Sequence, residues 1–251
     1  MNLNYIAGCC FALMWFTFLT VGCVDTASDN KPTRPNNTAS DNKPTRPNNT
    51  ANESSAGKII GSGNIKTETR KVSGFSEIVI DNVGTLTIKQ TGTESLSIEA
   101  DDNILPLLIS EVSGNRLVLG TRPNTSFRTN SQINYNLTVK DLSFIENSGS
   151  AKILAKNINT PKLVVVLSGS GDVKISGKAD HQDLSIKGSA SYNAFDLASK
   201  VAYVIIKGSG SAFVNASNTL DVKISGSGSV EYKGGATVSQ KITGSGIIKR
   251  R

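Results

Sequence analysis

From Leu163 onward, apolar and polar positions alternate around a recurring glycine. The repeated phrases are LSGSGDVKI (167–175), IKGSASYNA (186–194), IKGSGSAFV (206–214), ISGSGSVEY (224–232) and ITGSGIIKR (242–250), with a partial copy at Gly149. Their glycines, Gly169, Gly188, Gly208, Gly226 and Gly244, follow one another at intervals of 19, 20, 18 and 18 residues. Two residues before each glycine stand Leu167, Ile186, Ile206, Ile224 and Ile242. Four before are Val165, Leu184, Val204, Val222 and Gln240, and six before are Leu163, Gln182, Ala202, Leu220 and Val238. Apolar spacing of two marks a strand with one buried face. Beyond the glycine, at four and six residues, the alternation resumes with Val173/Ile175, Tyr192/Ala194, Ala212/Val214, Val230/Tyr232 and Ile248. Each repeat therefore predicts a strand, a Gly-Ser corner, a second strand and a return.

A period near twenty with turn residues at fixed offsets is the signature of a solenoid, whose coils bury an apolar face only against one another. The expected architecture is all-β, a parallel β-helix with coils of about 18–20 residues. Stacking at about 4.8 Å per rung places Ile on Ile and Val on Val inside. Corners Gly149, Gly169, Gly188, Gly208, Gly226 and Gly244 are where the chain needs positive φ or where successive corners approach closely. A phosphate cradle is a poor alternative, because it needs glycines between a strand and a helix N-terminus, and no amphipathic helical run follows these. Gly169-Ser170-Gly171-Asp172 faintly suggests a calcium β-roll, but that nonapeptide period is half as long and a single copy carries the aspartate.

Residues 72–145 are strand-like but less regular than 146–251. Alternation appears in Ile78/Ile80, Leu86/Ile88, Leu96/Ile98, Leu117/Leu119 and Leu137/Val139, punctuated at Asn82-Val83-Gly84, Thr91-Gly92 and Ser113-Gly114-Asn115. Taken as one domain, 58–251 has length for roughly nine or ten coils. Here the chain resembles the bacterial family described as putative auto-transporter adhesin, head GIN domain, a domain of unknown function. The resemblance is carried by Val72-Ser73-Gly74-Phe75-Ser76-Glu77-Ile78, Leu86-Thr87-Ile88-Lys89-Gln90, Leu96 to Ile104, Asn115-Arg116-Leu117-Val118-Leu119 and the Gly-Ser-Gly corners, and covers most of 70–248. It implies a right-handed parallel β-helix on a secreted or surface-anchored protein, with no biochemical activity to carry over.

The N-terminus adds a location. Tyr5 to Val21 is apolar and uncharged and ends in Thr20-Val21-Gly22-Cys23. About seventeen residues suit a signal-peptide core better than a spanning helix. The end resembles a lipobox, with Thr20 where leucine is usual, which makes 1–22 a lipoprotein signal peptide and Cys23 the lipidated residue. The segment 23–57 then reads as a disordered tether. It holds the duplication TASDNKPTRPNN at 26–37 and 38–49 and has no large apolar residue beyond Val24. As a flexible coil it would span about 30–40 Å, and fully extended roughly 110 Å.

Charges cancel within 1–57, so the formal net charge of +7 belongs to 58–251. Part of it is ordered by the coil: Lys187, Lys207, Lys223 and Lys241 stand one or three residues before a corner glycine, on the outward face, with Lys174, Lys249, Arg250 and Arg251 nearby. Such a basic stripe suits an anionic glycan or another polyanion, and it would equally serve as a solvated face that discourages sheet aggregation. Nucleic acid is disfavoured by the scarcity of aromatics for stacking.

Catalysis finds little footing. His181 is the lone histidine, no serine lies in a nucleophile elbow, and Cys9, Cys10 and Cys23 all fall in the signal region. Neither cofactor nor metal is expected. Parallel β-helices also carry polysaccharide lyases and hydrolases, for which Asp172, Asp180, Asp183, Asp196 and Glu231 qualify by type, but they share no common offset from the corners. The sequence thus predicts a non-enzymatic lipoprotein of the cell envelope, on the outer membrane, held by its lipid anchor and presenting a β-helix for adhesion or glycan binding. A structural or accessory role, recognising another envelope protein by strand addition, is the alternative.

Overall fold

The computed structural model describes residues 58–251. The expected signal peptide, the lipidation site Cys23 and the tether 23–57 lie outside the described residues. Long strands Lys152–Leu167, Asp172–Gly188, Ser191–Gly208 and Ser211–Gly226 each run from one corner to the next and pair in parallel with their neighbours. Ser229–Lys233 and Thr237–Gly244 then stack on Ser211–Gly226, and Ile247–Arg250 stacks on Ser229–Lys233. The return is itself a paired stretch, in which Ile158, Asn159 and Thr160 register with Gly177, Lys178 and Ala179. Differences in coil length are absorbed around it, since the register shifts fall where the return begins, at Ala155/Ile158, Lys174/Ser176 and Ala194/Ser199, and once where it ends, at Ser199/Val201.

The register aligns the repeats as the alternation predicts. Leu167, Ile186, Ile206, Ile224 and Ile242 form one ladder, and Val165, Leu184, Val204, Val222 and Gln240 another. All but the last member of each are buried, and full burial of such a side chain is worth about 1.5–3 kcal/mol. Gln182, between Leu163 and Ala202 in the third ladder, is fully buried and satisfied from within. It accepts from Tyr192 Oη at 2.7 Å and donates to Ser199 Oγ at 3.2 Å. Burial pushes the Tyr192 hydroxyl far up from its ordinary value, so it stays a donor at any working pH.

The N-terminal third is continuous with the solenoid in one 15-stranded sheet, but its levels are out of chain order. Glu77–Ile80 and Thr85–Gln90 form a strand–corner–strand level. On one side they pair with Phe144–Asn147 and the start of Lys152–Leu167. On the other side lie Arg116–Thr121 and Asn134–Val139, later in sequence yet stacked beneath. Antiparallel strands close this end: Leu108–Ser113 against Arg116–Thr121, and Ser95–Asp101 between Asn134–Val139 and Ile65–Arg70. The short pair Ile59–Ile60 and Phe127–Arg128 lies beside them. Residues spent on this cap reduce the regular solenoid to about five turns, against the nine or ten expected from length.

The cap is pinned by two carboxylates. Asp101, 1% exposed, accepts hydrogen bonds from the Thr129 hydroxyl, the Ser131 hydroxyl at 2.9 Å and the Gly63 N–H at 2.9 Å. Glu94 accepts from the Gly74 and Phe75 N–H groups and pairs with Lys140 at 3.7 Å.

Candidate functional site

The strands that lead into the corners turn alternate side chains outward, and the register sorts these into columns. One residue before the glycine, Lys187, Lys207, Ser225 and Thr243 are neighbours on successive levels. Three before are Val166, Ser185, Ile205, Lys223 and Lys241. Five before are Phe144, Val164, Asp183, Tyr203 and Asp221. The four lysines therefore form two pairs in adjacent columns, Lys187 with Lys207 and Lys223 with Lys241, rather than one straight stripe. All four are exposed, and none is ion-paired among the described residues. Lys207, Lys223 and Lys241 line a depression of about 290 Å³ floored by Ile205 and Ile224.

Three of the other four basic residues that the sequence places nearby, all but Lys249, are engaged elsewhere. Lys174 faces Asp196 at 3.8 Å, Arg250 donates to the Gly234 carbonyl at 3.2 Å, and Arg251 lies over the Phe195 ring at 5.3 Å. Phe195 also meets Lys233 at 5.5 Å and stacks edge-on against Phe213 at 5.4 Å. Three of the five carboxylates considered for catalysis are bound to lysines: Asp183 to Lys162 at 2.7 Å, Asp180 to Lys200 at 2.8 Å and Asp196 to Lys174. The Lys200 ammonium holds Asp180 below the usual carboxylate range. Among the described residues no group of three or more His, Cys, Asp or Glu is placed to hold a metal ion.

The corner glycines form a column of their own. Gly188, Gly208, Gly226 and Gly244 are register partners, and Gly169 packs against the Gly149 carbonyl as Gly149 packs against that of Asn82. The column thus ends on Asn82, whose amide donates to the buried Tyr135 hydroxyl at 3.0 Å.

Tyr203 and Ile205, which are 46% and 39% exposed, are not among the residues that the inward alternation or the lysine offsets pick out. Their signal was available: they are apolar residues at outward offsets, five and three before a corner glycine, as are Val164 and Val166 two levels below. They join the lysines in one trough, because Ile205 lines both the cationic depression and an adjoining apolar one.

A family model described as "Putative auto-transporter adhesin, head GIN domain" matches residues 74–236. No curated protein matches the chain. Among solved structures, a "putative adhesin" from Bacteroides fragilis is 27% identical with a TM-score of 0.66, the match covering 77% of this chain and 100% of that one. A "putative lipid binding protein" from Parabacteroides distasonis is 25% identical with a TM-score of 0.53, covering 77% and 99%. A "putative adhesin" from the same species, at 21% identity, TM-score 0.50 and coverage of 77% and 100%, shares the fold.

Proposed function

Because the chain belongs to the head GIN domain family of putative auto-transporter adhesins, we propose that it is a non-enzymatic adhesion module of the bacterial cell envelope, binding an anionic glycan or similar polyanion through the lysine trough. The lipobox-like end supports lipidation at Cys23, which with the 23–57 segment would tether the β-helix to the outer membrane.

The observation that carries this reading is the pairing of four lysines without carboxylates. Neighbouring levels are about 4.8 Å apart, so two like charges there repel by up to about 1 kcal/mol in water. An arriving anion relieves that repulsion and meets several cations at once. The test is binding of the purified protein to polygalacturonate, a carboxylated glycan, beside neutral dextran. Saturable binding to polygalacturonate alone is expected, weakening at least about tenfold from low to high salt because exposed charges are screened. It should disappear when Lys187, Lys207, Lys223 and Lys241 are all changed to Glu with the fold intact by circular dichroism. Undiminished binding by that variant would contradict the reading.

A second reading rests on the last described level, where Ile242 and Ile247 are 38% and 64% exposed. A partner strand added there would pair by backbone hydrogen bonds, and its binding would be indifferent to salt.

A further inference from the structure

The lysine trough does not stop at the lysines. Past Ile205 it opens into a shallow depression of about 310 Å³ lined by Val164, Asp183, Ser185, Tyr203 and Ile205. Tyr203, Ile205 and Lys207 alternate along one strand on its outer face, and Ile205 is the register partner of Ser185 on one side and Lys223 on the other. An exposed aromatic ring, an aliphatic floor, a hydroxyl and a carboxylate therefore lie within one level of the free Lys207 ammonium, with the Lys223 ammonium one level beyond the ring and floor and two levels from the hydroxyl and carboxylate. Asp221, the register partner of Tyr203 on its other side, carries no ion pair among the described residues, whereas Asp183 does not oppose an anion, because it is neutralised by Lys162 at 2.7 Å. The contact also raises the Lys162 pKa, through the hydrogen bond first and the charge second.

We propose that this depression is a carbohydrate subsite. One pyranose ring of an acidic oligosaccharide lies with its C–H face on Tyr203 and Ile205 and its hydroxyls toward Ser185 and Asp183, while its carboxylate or sulfate reaches Lys207 and Lys223. The inference rests on the polyanion reading and specifies the ligand as a sugar rather than as charge alone. A sugar ring has an apolar face and a polar edge, and tyrosine, with an apolar body and a polar tip, complements both. An acyl chain fits less well, since it would cover the Ser185 hydroxyl and the Asp183 carboxylate without giving either a hydrogen bond.

The probes are oligogalacturonate, which has rings and charge, and inorganic polyphosphate, which has charge without rings. Titration calorimetry on the intact protein would compare it with Tyr203→Ala, Tyr203→Trp and the double variant Lys207→Glu/Lys223→Glu. Tyr203→Ala should weaken oligogalacturonate about tenfold, the loss of one aromatic contact, and leave polyphosphate unchanged. Tyr203→Trp should retain oligogalacturonate, and the double lysine variant should weaken both probes. If the lysine variant weakens both probes but Tyr203→Ala affects them equally or not at all, the sugar subsite is overturned while the polyanion reading stands. If neither probe binds, or the lysine variant binds both as well as the unmodified protein, the polyanion reading falls and the subsite with it. Binding to phosphatidylglycerol vesicles that Tyr203→Ala removes, with oligogalacturonate untouched, would make this a lipid-docking face and overturn the sugar assignment.

Discussion

Gly208 has φ near +128°, and a Cβ there would stand 2.6 Å from the carbonyl oxygen of Gly188 one level below. Both facts forbid a side chain, and the backbone strain alone is about 1–3 kcal/mol. Gly210, two residues on, sits over the Ala190 carbonyl with no positive φ, and its added Cβ would meet the Ile186 Cγ2 methyl at 2.6 Å. Its counterpart on the previous level is an alanine, Ala190, which is buried without strain. Gly208→Ala, which adds backbone strain to its clash, should therefore lower the thermal midpoint more than Gly210→Ala, whose Cβ would meet the Ala190 carbonyl oxygen at 2.9 Å as well as the methyl and whose overpacking costs about 1–3 kcal/mol. Equal effects in melting experiments would mean that the corner is looser than the structure shows. At this scale the sequence was legible wherever a residue repeats. It was less so at Gln182, which breaks an apolar ladder yet is buried, because its partners Tyr192 and Ser199 come from other positions of the coil.

Among the elements, the contrast lies between the ladders and the cap. Parallel strands with buried Ile and Val need no titrating group, whereas the cap relies on Asp101 and Glu94. Hydrogen bonds from Thr129, then Ser131 and Gly63, hold Asp101 below its ordinary value, and the Gly74 N–H does most to lower Glu94. A carboxylate whose folded pKa is depressed contributes stability that is present above its unfolded value, about 4, and is lost as pH falls through the folded one. The denaturant midpoint should accordingly drop below about pH 4, and Asp101→Asn should narrow that drop. An unchanged acid dependence in the variant would mean that Asp101 does not contribute to the stability of the cap. The cap also marks where sequence reasoning ran out. Alternation in Ile78/Ile80 and Leu117/Leu119 announces strands with one buried face, but period two says nothing about which strand is the neighbour. Nothing local could reveal that Arg116–Thr121 stacks beneath Glu77–Ile80, or that Ser95–Asp101 runs antiparallel.

Over the whole molecule, the repeat does two jobs with one pattern. Inward offsets build the ladders that hold the solenoid together, and outward offsets place side chains from successive levels into columns with fixed spacing, so a surface spanning several coils is as ordered as the core. The trough from Tyr203 through Ile205 to Lys207, Lys223 and Lys241 is such a surface. Its lysines and its apolar half alike stand at outward offsets from the corner glycines, and the register was needed to show which of them meet on neighbouring levels. A ligand of this molecule is expected to sit in that trough. The most direct measurement is titration of the isotope-labelled protein with oligogalacturonate, following backbone amide shifts by NMR. Shifts should cluster on Ser185, Tyr203, Ile205, Lys207, Lys223 and Lys241 and saturate together. Shifts confined to the cap, or to the Phe195 cluster, would contradict the assignment of this face as the binding surface.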